Sequence, residues 1–111
     1  MSKRPARPNE NEAASRLSAL GNATRLRLFR LLVKAGPEGL NVGDLQRLLA
    51  IPASTLAHHL SALTRADLVL QQRHGREVLC LANYDSMNAL VAFLTDACCS
   101  GVRLTADSNA A

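Results

Sequence analysis

The chain has 111 residues, 48% of them hydrophobic, enough apolar material for one modest core and not for two. Thirteen Lys and Arg against nine Asp and Glu leave a net charge of +4, which suits a polyanionic partner. No apolar run approaches the roughly 20 residues that a membrane-crossing helix needs, and the aromatic residues are confined to Phe29, Phe93 and Tyr84, so Leu, Ala and Val form the core and helices are favoured.

Residues 1–9, with two prolines and the basic residues Lys3, Arg4 and Arg7, read as a flexible arm. Their basic start is not followed by an apolar stretch, so they do not read as a secretion signal, and a cytoplasmic location is expected. The folded domain is expected over residues 10–101, with a flexible tail from 102 to 111. A first helix runs from about Asn11 to Leu20, with Ala13, Leu17 and Leu20 on one side, and Gly21-Asn22 ends it. A second, from Ala23 to Ala35, is apolar over much of its circumference, as expected of a central helix, and stops at Gly36-Pro37. After a short loop, a third helix spans about Asn41 to Ala50, capped by Asn41, with Val42, Leu45, Leu48 and Leu49 inward.

A tight turn at Ala50-Ile51 leads to a fourth helix that begins at Ile51 or Pro52, since Pro is at home where a helical N–H has no partner. Leu56, Leu60 and Leu63 repeat at i, i+4 and i+7 and form its buried stripe. Ser54, His58, Ser61 and Arg65 line another face, and its first two turns carry Ser, Thr and His, side chains suited to base edges in a DNA major groove. Two helices joined by so short a turn, the second polar on its leading face, form a helix-turn-helix arrangement.

The period then changes. Leu68 to Arg73 and Arg76 to Ala82 read as two strands joined at His74-Gly75, a hairpin whose tip gathers Arg73, His74 and Arg76. A basic hairpin directly after a recognition helix is a wing, which reaches the neighbouring minor groove or backbone. The last helix is expected from about Tyr84 to Ser100, ended by Gly101, with Met87, Leu90, Val91, Leu94 and Cys98 forming a seam too apolar to leave exposed. This seam, together with the first helix, is read as a homodimer face; a two-fold dimer sets two recognition helices about 34 to 36 Å apart, facing a palindromic double-stranded operator. The fold class is thus mainly α with a small β-hairpin wing, a winged helix-turn-helix. The chain shows no phosphate loop, no H-E-x-x-H and no Cys beside a His in a catalytic arrangement, so it does not read as an enzyme.

A-L-G-N-A-T-R-L-R-L-F-R-L-L at Ala19 to Leu32, S-T-L-A-H-H-L-S-A-L at Ser54 to Leu63 and L-V-L-Q-Q-R-H-G-R at Leu68 to Arg76 resemble, in order and spacing, the ArsR/SmtB family of bacterial repressors. The resemblance implies a homodimeric winged helix that leaves its operator when an inducer, often a metal or metalloid, binds. It also implies that Ser54, Thr55, Ala57 and His58 lie nearest the bases and that Arg76 is the wing residue; His59, by its place on the helix near the Leu56 and Leu63 side, is expected to pack. Two departures matter. Asn41-Val42-Gly43 stands where many arsenic sensors carry Cys-x-Cys, and no histidine follows His74, which removes the zinc ligands of the last helix.

What remains is Cys98-Cys99, with Cys80 in the second wing strand. Soft trivalent arsenic and antimony favour thiolates. On an ideal helix, neighbours diverge by about 100°, so both cysteines can face one ion only if the last turn frays. The pair alone suits methylarsenite, whereas Cys80 as third ligand would also serve arsenite or antimonite. No permanent cofactor is expected, only such a metalloid inducer. The alternative is a thiol redox or persulfide switch at the same cysteines, and Cys80 and Cys98 also fit as small apolar core residues.

Overall fold

Four asparagines start four of the five helices. In the computed structural model, which describes residues 7–104, Asn9 opens α1 (Glu10–Leu20) with a reciprocal box: its side chain accepts from the Glu12 N–H at 2.7 Å, and the Glu12 carboxylate accepts from the Asn9 N–H at 2.9 Å. Asn22 caps α2 (Ala23–Ala35), Asn41 caps α3 (Val42–Leu49) and Asn83 caps α5 (Tyr84–Thr95), each by accepting a backbone N–H three residues on. Helix α4 (Ala53–Arg65) begins after Pro52, one or two residues later than the sequence suggests, with no side-chain cap.

The wing strands are β2 (Val69–His74) and β3 (Glu77–Ala82), paired antiparallel with His74 opposite Glu77. The turn therefore lies at Gly75-Arg76, with Gly75 at φ 63°, one residue later than the expected His74-Gly75. A third strand, β1 (Leu40–Asn41), pairs with β3 through Leu40 opposite Cys80, giving the order β1-β3-β2. Two residues carry no period, so no pattern announces this strand. What admits it is Gly39, at φ 67°, where a Cβ would stand 2.6 Å from the Cys80 carbonyl oxygen.

The core runs from α2 (Leu28, Phe29, Leu32) through α3 (Leu45, Leu49) and α4 (Leu56, Leu60, Leu63) to Leu68, Val69 and Cys80 of the wing base. Two expected inward positions differ. Leu48 is exposed because α3 turns Leu45 and Leu49 to the core. Leu17 is exposed because α1 buries Ala13, Arg16 and Ala19, a face about a quarter turn away. On α5 the core takes Ser86 and Leu90, while Val91 and Leu94 are 54% and 56% exposed.

Helix α5 ends at Thr95, not Ser100. The Thr95 hydroxyl bonds back to the Val91 and Ala92 carbonyls, and Asp96 takes an extended backbone, φ −60° and ψ 137°. A carboxylate at the negative end of the helix dipole is unfavourable, and the Asp96 side chain instead pairs with Arg7 at 3.0 Å. Beyond Leu94 the side chains up to Gly101 are exposed, so no burial repays continuing the helix. Cys98 thus leaves the apolar seam and lies in a turn. The arm and tail expected at the termini lie outside the described residues, apart from residues 7–9 and 102–104.

Candidate nucleic-acid interface and dithiol turn

Ala50 in the left-handed conformation (φ 55°, ψ 47°) and Pro52 turn the chain from α3 into α4 within three residues. With Leu56, Leu60 and Leu63 held in the core, 100° per residue places Ser54, His58, Ser61 and Arg65 on the opposite face, and all four are exposed. Ala57 is exposed on the flank toward the wing, whereas Thr55 is half-buried. Arg65 donates to the Ser61 hydroxyl at 2.7 Å, so these two present a joined donor set at the end of the exposed face.

His59 is half-buried, its Nδ1 3.4 Å from the Arg25 guanidinium, and Arg25 is anchored by donating Nε–H to the Ala19 carbonyl at 2.7 Å. Burial, then the charges of Arg25 and His58, hold the His59 pKa below the ordinary imidazole range. A ring that packs is what the sequence suggested for this position. The neighbouring Arg25 had no signal beyond its basicity.

Arg73, His74 and Arg76 are all exposed on the wing, and His74 Nε2 lies 3.4 Å from Gln72 Oε1. Among the described residues neither Arg73 nor Arg76 has an acidic partner. Unpaired guanidinium groups on a two-stranded tip are free to meet phosphate. Between wing and helix lies a cleft of about 410 Å³, lined by Ala57, Leu60, Ser61, Thr64, Gln71 and Val78 among others. A second, of about 430 Å³, sets Arg76 beside Gly43 and Arg47 at the start of the helix-turn-helix. Arg47, which forms an ion pair with Asp44, was not singled out by pattern: proximity to the wing is a property of the sheet.

The cysteines separate into two kinds. Cys80 is fully buried on β3, and burial pushes its thiol pKa up, away from the thiolate that nucleophiles and metal ligands require. Cys98 and Cys99 are exposed, with their sulfurs 3.2 Å apart. Their convergence follows from the helix having ended: Ala97 and Cys99 both have positive φ, 58° and 66°, which cancels the divergence that α-helical neighbours would show. Among the described residues no three His, Cys, Asp or Glu side chains of one protomer cluster tightly enough to hold an ion, and Cys80 forms no such cluster with the pair in this structure. No helix of the described residues is long and apolar enough to cross a membrane.

Comparison with known proteins places these features. Residues 20–72 match a helix-turn-helix domain family. The chain is 28% identical over 88 residues to the HTH-type transcriptional regulator YgaV of Escherichia coli (strain K12), covering 79% of this chain and 87% of that one. It is 43% identical over 60 residues to a putative arsenical resistance operon repressor ArsR of Halobacterium salinarum, covering 54% of this chain and 46% of the relative. Among solved structures, an ArsR-like transcriptional regulator from Rhodococcus sp. RHA1 superposes with a TM-score of 0.65 at 28% identity, covering 76% of each chain.

Proposed function

Given that this chain belongs to the ArsR family of winged helix-turn-helix transcriptional regulators, we propose that it is a dimeric repressor released from a palindromic operator by a trivalent arsenical bound to Cys98 and Cys99. The observation that carries the inducer reading is the pair of exposed sulfurs at 3.2 Å. An organoarsenical R–As(OH)2 exchanges both hydroxyls for the two sulfurs: two As–O bonds break, two As–S bonds form, and the thiol protons leave in two waters. No oxidant is needed. Arsenite or antimonite closes the same ring and keeps one hydroxyl, so two thiolates favour the methylated species. The similarity to an arsenical resistance repressor supports the choice of metalloid.

The dimer reading rests on uncovered apolar surface. Helices α1 and α5 touch, and between them they leave Leu17, Val91 and Leu94 exposed. Burying them against a second copy gives a self-complementary interface. Each protomer then offers Ser54, Thr55, Ala57, His58, Ser61 and Arg65 to one half-site, and Arg73, His74 and Arg76 to the flanking backbone. The cysteine turn directly follows α5, so a ring closed there changes the end of the dimer helix.

Operator release followed by fluorescence anisotropy under reducing conditions tests this, with methylarsenite, arsenite, antimonite and hydrogen peroxide titrated against wild type, Cys80→Ser, Cys98→Ser and Cys99→Ser. Release by methylarsenite that is lost in Cys98→Ser and Cys99→Ser and kept in Cys80→Ser is the expected outcome. Release by peroxide alone would replace it with a disulfide switch at the same pair. Release that depends on Cys80 would show that a third thiolate, from the same or the partner subunit, takes part.

A further inference from the structure

Side chains from α1 and α5 converge on one residue at the end of the recognition helix. Asp67 follows α4 with φ 65°, its backbone N–H bonded to the Thr64 carbonyl in the last turn of that helix. The Ser86 hydroxyl, in the first turn of α5, donates to Asp67 Oδ2 at 2.8 Å, and the Asn83 amide donates to the Asp67 carbonyl at 3.0 Å and to Oδ1 at 3.3 Å. From α1, Arg16 Nη2 lies 3.7 Å from the same Oδ2. Arg16 is only 8% exposed, and its Nη1 is buried without a hydrogen-bond partner among the described residues.

A buried guanidinium with one loose carboxylate contact and one idle nitrogen is an incomplete fork. Arginine grips a carboxylate best with two parallel N–H···O bonds, and a buried donor left unpaired is costly. Ser86 and Asn83 each take one acceptor position on the two carboxylate oxygens and fix where the carboxylate sits, with the Arg16 fork left open at 3.7 Å. Arg16 and Ser86 therefore draw the same carboxylate toward different helices, and each belongs to a helix of the proposed dimer face.

We infer that Asp67 is a positioning residue with two alternative sets of partners, and that which set it takes determines the angle of the recognition helix to the dimer. In the DNA-binding arrangement the carboxylate is held by α5 through Ser86. When α5 shifts, Ser86 withdraws, the carboxylate closes on both Arg16 nitrogens, and the last turn of α4 is drawn toward α1. That an arsenical supplies the shift rests on the function proposed above; the competition between Arg16 and Ser86 does not.

The test is a double-mutant cycle read on operator affinity, using wild type, Ser86→Ala, Arg16→Gln and the double variant, with thermal melts confirming that each is folded. Ser86→Ala frees the carboxylate for Arg16, so the operator Kd is expected to rise about fivefold or more; in the Arg16→Gln background the same change should alter Kd by less than about twofold. Ser86→Thr, which keeps the hydroxyl, should restore wild-type affinity. If Arg16→Gln fails to fold, Arg16→Lys retains the charge without the fork and replaces it. Equal effects of Ser86→Ala in both backgrounds would overturn the inference.

Adding phenylarsine oxide to wild type, Ser86→Ala and Asp67→Asn separates the two readings; asparagine tolerates the left-handed backbone at position 67. Both variants should still consume the Cys98–Cys99 thiols yet lose about fivefold or more of the wild-type release. Release equal to wild type in both variants would count against the junction. Should the wild type bind the arsenical and stay on DNA, the inducer reading fails, and the cycle in the free protein still decides the junction.

Discussion

Replacing Arg76 by Ala removes a cation from the wing tip without touching the core. Arg76 lies in the Gly75-Arg76 turn, is exposed, and makes no ion pair among the described residues, so the fold has nothing to lose there. Its contribution is expected on DNA. Each neutralised phosphate releases about 0.9 of a counterion, and a dimer carries two wings, so the slope of log K against log salt should flatten by about 1.8. Between about 50 and about 200 mM salt, wild-type affinity should therefore fall roughly 12-fold further than that of the variant. Anisotropy titrations of one labelled operator at four salt concentrations measure this directly, and a scrambled duplex should show the same flattening, because phosphate contacts carry no sequence information. A slope unchanged from wild type would remove Arg76 from the interface.

Two further outcomes follow from the fold. The His59 pKa is lowered by burial first and then by Arg25 and His58, so the unfolded chain binds the proton more readily. Its stabilisation is complete above the unfolded value of about 6.5 and is lost as pH falls below it, through the lowered folded value. Between about pH 7.5 and about pH 5.5 the melting temperature of His59→Gln should fall less than that of wild type; parallel falls would refute the assignment. Gly39→Ala and Gly36→Ala form a matched pair, since both sites have positive φ, 67° and 74°, and extended ψ, but only at Gly39 would a Cβ meet the Cys80 carbonyl. Backbone strain costs each about 1–3 kcal/mol, and the close contact should cost Gly39→Ala at least about 1 kcal/mol more in urea unfolding. Equal losses would mean that β1 can move off β3.

Local physics made much of this protein legible in its sequence. The Leu56, Leu60, Leu63 stripe fixes which face of α4 is outward, and so which polar residues are exposed, because a helix with one apolar side has one orientation on a core. The Asn41 cap and the Gly36-Pro37 stop are equally local, and the wing is announced by two short strand-like segments around Gly75. The tertiary structure decided what no period encodes. Strand β1 is two residues long and exists because Gly39 lets it approach Cys80. The rotation of α1, which buries Arg16 and exposes Leu17, sets Arg16 beside Asp67, 51 positions along the chain. The end of α5 depends on where burial stops repaying helix, and only that early end, with positive φ at Ala97 and Cys99, turns two adjacent cysteines toward each other.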